Sequence, residues 1–353
     1  MKALRFHGRG DLRIEEVAPP AAPSGGNVKV RVAYCGICGT DLHEYLAGPV
    51  FVPTEPHPST GAAAPMILGH EFSAVVEEIG PDVSGFKAGD RVAILPHLMP
   101  KGDYYVRRNL GQFSPAVGLV GLSWHWGGMG EHAVVPEENL VLLPDAVSDL
   151  QGALLEPLAV AVNAIDEAGL RVGQSVLITG AGPIGALTAF AARAAGAARI
   201  FVHDPNRRRL AQLERFDDFR LFSGPPAEVL NAISGETEAG VDVAIECAAQ
   251  IAAYDLCVDA LRHVGVLALV GLFVEKQPVD LFRLCEKGVR LIGCLGNDIT
   301  MGPRLVAMIE SGSLPVETVV TGVIPLDEAV ENGFDVLARP GTDQMKILVN
   351  LRG

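Results

Sequence analysis

Ser175-Val-Leu-Ile-Thr179, followed by Gly180-Ala-Gly-Pro-Ile-Gly185, decides the fold of this chain. The first five residues are apolar and β-branched, as a short buried strand requires. The next six fit the pattern G-x-G-x-x-G, a weak signal alone in a chain with 40 Gly among 353 residues. Its context gives it force. A strand precedes it, an Ala-rich helical stretch (Ile184–Ala195) follows it, and Asp204 closes the next strand roughly 20 residues on. Gly180 would make the tight turn, Gly182 would let the backbone approach a pyrophosphate, and Gly185 would let helix and strand pack closely. Pro183 and Ile184 open the helix, whose free N–H groups suit phosphate. A Gly-rich turn that binds nothing is the bland alternative. Asp204 is expected at the ribose hydroxyls, favouring NAD over NADP because a carboxylate repels a 2′-phosphate. The run Arg207–Arg209 pulls toward NADP unless it is only the solvated first turn of a helix. Arg209 joins Asp204 among the candidate cofactor contacts.

Beyond this loop, strands alternate with helical stretches. Strands are expected at 198–202, 219–222, 241–247, 264–272 and 289–295, with helices at 207–216 and 251–262. Six strands in this alternation, several of them continuously apolar, indicate a parallel sheet covered on both faces. Residues 1–155 differ. Short alternating strands at 2–7, 11–17, 28–34, 72–79, 91–95, 131–135 and 140–143 are separated by Gly and Pro clusters, which suggests an all-β domain. The Pro-rich segment 47–65 reads as a surface loop. The tail returns to mixed character, with helical 304–311 and 326–337 and a last strand at 346–350. The fold class is therefore α/β plus all-β, divided at 1–155, 156–295 and 296–353.

With 28 basic and 42 acidic residues the net charge is −14, and no basic block interrupts it. Such a chain is a poor ligand for nucleic acid and is repelled by anionic membranes. The uncharged stretch 172–192 holds four Gly, a Pro, a Gln, a Ser and two Thr, so it is not read as a membrane span. The opening residues lack the apolar core of a secretory signal, and a cytoplasmic protein is expected.

Cys35-Gly-Ile-Cys38 is the one close cysteine pair among six cysteines. With no second C-x-x-C, a Cys₄ site is excluded. Downstream stand Gly69-His70-Glu71 and Leu155-Glu156-Pro157. One Cys, one His and one or two Glu make a zinc donor set with an open position, the catalytic type. Each residue also has an ordinary reading: Cys38 a core thiol, His70 a hydrogen-bonded histidine, Glu156 a helix-start carboxylate. Spacing does not choose between these readings.

Taken together, CGICGTDLH (35–43), LGHEF (68–72), KAGDRV (87–92), LLEPLAV (154–160) and GAGPIG (180–185) resemble the zinc-dependent medium-chain dehydrogenase/reductase family over essentially the whole chain. HEYLAGPVFVP (43–53), HPSTG (57–61) and LDEAVENGFDVL (326–337) are most similar to its members acting on vicinal diols of the 2,3-butanediol and acetoin type. The resemblance implies a GroES-like catalytic domain around an inserted Rossmann domain. It implies NAD and one catalytic zinc per subunit on Cys38, His70 and Glu156, with Glu71 beside the metal as a possible fourth ligand. It implies Asp41 as the carboxylate that orients His70, and a proton relay through Thr40, the cofactor ribose and His43. The expected function is hydride transfer between NAD and a small secondary alcohol, vicinal diol or ketone, in a homodimer or homotetramer. A polyol or amino-alcohol dehydrogenase, and a non-catalytic NAD-binding protein, are the alternatives.

Many members of the family carry a second, structural zinc on four cysteines in a lobe. Aligned from Pro96, those slots hold Pro100, Asp103, Val106 and Ser114 here. Leu98, Tyr104, Tyr105, Val106, Leu110 and Phe113 are expected to pack in the metal's place.

Overall fold

The structure, a computed structural model, describes residues 1–352. The chain forms two compact units. One comprises Met1–Ala159, Asn297–Gly312 and the tail from Val320; the other comprises Val160–Gly296 and Ser313–Val319.

The first unit is built on a seven-stranded sheet whose central strand is Asn27–Gly36. That strand pairs antiparallel with Glu71–Ile79 on one side and with Lys346–Asn350, from the tail, on the other. Strand alternation is clean: Val28, Val30 and Val32 are fully buried, and Arg31 is exposed. The buried face joins Phe6, Phe72, Ile94, Met129 and Phe334 in one apolar core. Smaller sheets pair Lys2–Gly8 with Asp11–Glu16 and Met66–Ile67, and His97–Leu98 with Gly118–Leu119.

The second unit is a six-stranded parallel sheet. Its spatial order is Phe219–Phe222, Arg199–His203, Ser175–Thr179, Val241–Glu246, Leu261–Leu269 and Arg290–Gly293. Numbered along the unit, this is 3-2-1-4-5-6, the dinucleotide-binding order, with its reversal beside Ser175–Thr179. Ser175–Thr179 is buried along its whole length, as a strand covered on both faces must be.

Five helices were not expected: Gly39–Ala47, Asp149–Ala153, Leu155–Ala168, Pro226–Glu236 and Leu281–Lys287. Three expected helices change. Regular helix from Arg207 stops at Ala211, because Phe216 is drawn into a cluster with Phe190 and Phe219, ring centroids 4.8 and 5.9 Å apart. The helix from Ile251 ends at Ala260, and Leu261 already enters the following strand. The tail segment 326–337 is a 3₁₀ turn, a π-helix over Ala329–Phe334 and a short α-helix, in place of one α-helix. The wider π turn presses Gly333 against Ile37 and buries Phe334 edge-on to Tyr45.

Candidate active site: a buried metal-ligand cluster and a dinucleotide loop

In the first unit the sheet register assembles the site. Gly36 sits opposite both Glu71 and Leu348, so the residues that follow it leave the sheet between Glu71 and Lys346. A side chain at Gly36 would collide with the Glu71 carboxylate. Cys38 then caps the helix Gly39–Ala47, with its N–H donating to Asp41 Oδ2 at 2.9 Å.

Cys38 Sγ, a His70 ring nitrogen and a Glu71 oxygen lie within 4.8 Å of one another, the one such group of three or more donors among the described residues. Asp41, fully buried, places Oδ1 3.5 Å from His70 Nδ1. Burial disfavours a charged His70, but the charges of Asp41 and Cys38 and hydrogen bonds to both outweigh it, raising the imidazole well above its ordinary range. The Cys38 thiol is raised by burial and the Glu71 charge, with His70 and Lys346 opposing.

Lys346 comes from the tail and is only 2% exposed. Its ammonium donates to Glu71 Oε2 at 2.7 Å, Glu71 Oε1 at 2.8 Å and the Ile37 carbonyl at 3.0 Å. Glu156, in the first turn of Leu155–Ala168, is outside the compact trio but within reach of its charges. Burial pushes its carboxyl up to about 7; His70 and Lys346 oppose this, and Glu71 and Asp41 add to it. Asn297 Nδ2 donates to Glu156 Oε1 at 3.3 Å. Two buried carboxylates, Glu71 and Glu156, thus face one buried ammonium, and a third, Asp41, faces His70. Sulfur, nitrogen and oxygen donors short of positive charge suit a divalent zinc ion. Thr40 Oγ1 lies 3.7 Å from Cys38 Sγ, and half-buried His43 follows three residues later on the same helix.

The lobe keeps its shape without thiolates. Asp103 Oδ1 accepts the N–H of Tyr105 at 2.7 Å and of Val106 at 3.3 Å, and Ser114 Oγ accepts that of Ala116 at 3.2 Å. Met99 and Val106 close over Gly111. The expected packing set needs correction. Leu98 is buried and Val106 and Tyr105 half-buried, but Tyr104, Leu110 and Phe113 are exposed, with Arg108 laid over the Tyr104 ring at 3.8 Å.

In the second unit Gly180 has φ +92°, where glycine is favoured, and Gly182 caps the helix Pro183–Ala194 with Pro183 in its first turn. A Cβ at Gly185 would strike the Gly180 carbonyl, whereas one at Gly182 would meet open space. This is a cradle of backbone N–H groups into which a pyrophosphate fits. Asp204 is nearly buried. Its Oδ2 accepts the Ala181 N–H and its Oδ1 the Asn206 N–H, each at 2.7 Å, so it ties the Gly-rich loop to the turn after its own strand. Each carboxylate oxygen keeps a second lone pair for a ligand hydroxyl. Arg207 is held by Ser223 at 3.0 Å, and Arg209 lies half-buried on the short helix Arg207–Ala211.

Sequence reasoning missed Lys346, Asn297, Glu44 and Glu246. Glu44, fully buried, accepts N–H groups from Val50, Phe51 and Val52 and so fastens the start of the Pro-rich loop to the helix carrying Thr40 and His43. Glu246 ends its strand opposite Thr179 and accepts the Ala248 N–H at 2.8 Å, beside Ala249 at φ +53°. The available signal was a charge heading or closing an apolar strand, in KILVN and VDVAIE. Asn297 offered none.

Residues 24–145 match the family model described as alcohol dehydrogenase GroES-like domain, and residues 183–311 the one described as zinc-binding dehydrogenase. The chain is 36% identical over 351 residues to (R,R)-butanediol dehydrogenase of Bacillus subtilis, 99% of each chain being covered. It belongs to the zinc-binding alcohol dehydrogenase family. It is accordingly an oxidoreductase with a GroES-like unit and a Rossmann unit. Human sorbitol dehydrogenase is 32% identical over 93% of this chain and 90% of its own. The crystal structure of 2R,3R-butanediol dehydrogenase from Bacillus subtilis superposes with a TM-score of 0.90 at 34% identity, covering 99% of both chains. A Sinorhizobium meliloti structure bound to NADP has a TM-score of 0.86 at 27% identity, covering 99% of this chain and 98% of its own.

Proposed function

We propose that this dehydrogenase oxidises a small secondary alcohol or vicinal diol of the 2,3-butanediol type, with transfer of a hydride to NAD, and reduces the matching ketone in reverse. The observation that carries the reading is the convergence of Cys38, His70 and Glu71 within 4.8 Å, with Glu156 in reach of their charges. Cys38, His70 and Glu156 hold the zinc, and Glu71 stands beside it, held by Lys346. Bound zinc supplies Lewis acidity for the alcohol oxygen. The chain does the rest. Asp41 orients His70, and Thr40 takes a hydrogen bond at the rim of the cluster. His43, three residues along the same helix face, passes the alcohol proton toward water. Gly180, Gly182, Pro183, Ile184 and Gly185 seat the pyrophosphate. Asp204 and Arg209 take the adenosine ribose, and the carboxylate gives preference to NAD.

A polyol is the second reading, favoured by the 32% identity to human sorbitol dehydrogenase. A homodimer is part of the proposal. The edge strand Arg290–Gly293 presents unpaired backbone, with Leu291, Leu281 and Phe282 exposed around it, and a second copy can pair with it about a two-fold axis. We place the protein in the cytoplasm; no helix among the described residues is long and apolar enough to cross a membrane.

A substrate panel followed by NADH absorbance tests the function. Vicinal diols and hydroxyketones should exceed both primary alcohols and sorbitol in kcat/KM, with NAD preferred over NADP. Asp204→Gly should move the cofactor ratio toward NADP. Greater activity on sorbitol would select the polyol reading, and a wild type that prefers NADP would refute the role of Asp204.

A further inference from the structure

We propose that Asn297 is a positioning residue for the metal: its amide holds Glu156 in the orientation in which the carboxylate serves as a ligand, and so sets the affinity of the site. The proposal rests on the reading of Glu156 as a ligand.

Glu156 lies in the first turn of a helix, on a long side chain with several rotatable bonds. The hydrogen bond from Asn297 Nδ2, at 3.3 Å, is the one its carboxylate receives among the described residues. No other hydrogen bond among those residues holds the carboxylate, which the charges of His70 and Lys346 attract. With Oε1 engaged, Oε2 is the oxygen left for the cation.

Asn297 is itself well held. It is fully buried. Gly296 before it has φ +63°, a left-handed turn that aims the next residue inward. Asp298 after it caps the 3₁₀ turn Ile299–Met301, its Oδ1 accepting the Thr300 N–H at 2.9 Å, and that turn runs into the helix Gly302–Glu310. The amide is therefore a fixed point, and the flexible carboxylate is the group that conforms to it.

The chemistry fixes which end of the amide faces Glu156. A carboxylate that binds a cation is ionised and only accepts, so Asn297 must present its NH₂. Its Oδ1 is left buried without a partner. A half-satisfied buried amide costs stability that a leucine of similar shape would avoid. The donor contact with Glu156 accounts for an asparagine here.

Groups that orient metal ligands typically change affinity 10–100-fold when removed. The test uses the full-length chain, loaded with zinc and, separately, with cobalt. Asn297→Leu should weaken zinc binding about 10–100-fold in competition with a chromophoric chelator. It should also shift the cobalt d–d absorption, a signature that a loss of fold stability alone would not move. Asn297→Ala, smaller and lacking the donor, should weaken zinc in the same direction and gives the reading if the leucine variant does not fold. Wild-type zinc affinity together with a wild-type cobalt spectrum in these variants would overturn the proposal. Glu156→Gln is the companion: zinc lost there but unchanged in the Asn297 variants refutes only the positioning role, whereas zinc retained there refutes Glu156 as a ligand and the proposal with it.

Discussion

The GroES-like unit builds its site from side chains, and the Rossmann unit builds its own from backbone. Cys38, the adjacent pair His70 and Glu71, Glu156, Asn297 and Lys346 come from five separate stretches of the chain. Cys38, His70, Glu71 and Lys346 meet because the strand Asn27–Gly36 is flanked by Glu71–Ile79 and Lys346–Asn350 in one register. The dinucleotide loop is a single run of residues whose function lies in its conformation: a left-handed Gly180, a Gly182 facing open space and a Gly185 tucked under a carbonyl. A side-chain site concentrates charge in a dry interior and should be sensitive to charge removal. A backbone site should be sensitive to a single added methyl group.

The largest expected effect tests the first half of that contrast. Lys346→Met leaves Glu71 buried and unpaired, and should destabilise the protein by about 3–5 kcal/mol in chemical denaturation. A loss below 1 kcal/mol would mean that water reaches Glu71. Gly185→Ala tests the second half. The added methyl meets the Gly180 carbonyl, an overpacking worth about 1–3 kcal/mol. KM for NAD should rise at least about tenfold with the zinc content unchanged; lost zinc would show that the two sites are not built independently.

Val264→Gly asks whether backbone strain is confined to the cofactor loop. Val264 is a β-branched residue at φ +60°, two-thirds exposed, in the second unit. Relief of about 1–2 kcal/mol of left-handed strain, less the extra chain entropy of glycine, should leave a net gain of about 0.5–1 kcal/mol. A fall in Tm would show that Val264 makes contacts worth more than its strain.

The smallest effect lies in the acid range and compares the two ends of Val241–Glu246. Burial opposes ionisation of Asp242, but the Ser175 amide, Arg262 and the Ser175 hydroxyl outweigh it and hold its carboxyl below the ordinary value. Its stabilisation is present above the unfolded value, near 4, and is lost as pH falls through the lower folded value. Glu246 has the opposite sign. Burial raises it despite the amides of Ala248, Ala249 and Gln250, so stability declines as pH climbs from its ordinary value through the folded one. Denaturation midpoints from pH 2 to 7 should show Asp242→Asn removing the acid-side loss and Glu246→Gln removing the decline. The reverse assignment would refute both signs.

The same contrast governs what could be read in the sequence. GAGPIG was legible because a backbone site is contiguous, and its strand–turn–helix setting is local. Cys38, His70, Glu71 and Glu156 could be named singly, but the register that joins Cys38 to the His70-Glu71 pair and to Lys346 is a property of paired strands, and no spacing along the chain encodes it. Lys346 heads an apolar strand as a surface lysine often does; only its position opposite Glu71 makes it a buried counter-ion. Apolar spacing in 326–337 suggested an α-helix, but fitting Gly333 against Ile37 selected a π-helix, a tertiary demand that overrides local period.

Leu98 and Met99 lead into a lobe whose turns are tied by Asp103 and Ser114 and closed by Met99 over Gly111. Every tie there is made from residues the ribosome supplies. A lobe fastened by thiolates takes its final form only when metal arrives and can lose it to an oxidant or a chelator. This one is finished at synthesis, so its assembly follows neither the zinc supply nor the redox poise of its surroundings. Scarcity of zinc would then silence this enzyme's chemistry while leaving that part of its architecture standing, ready to be recharged.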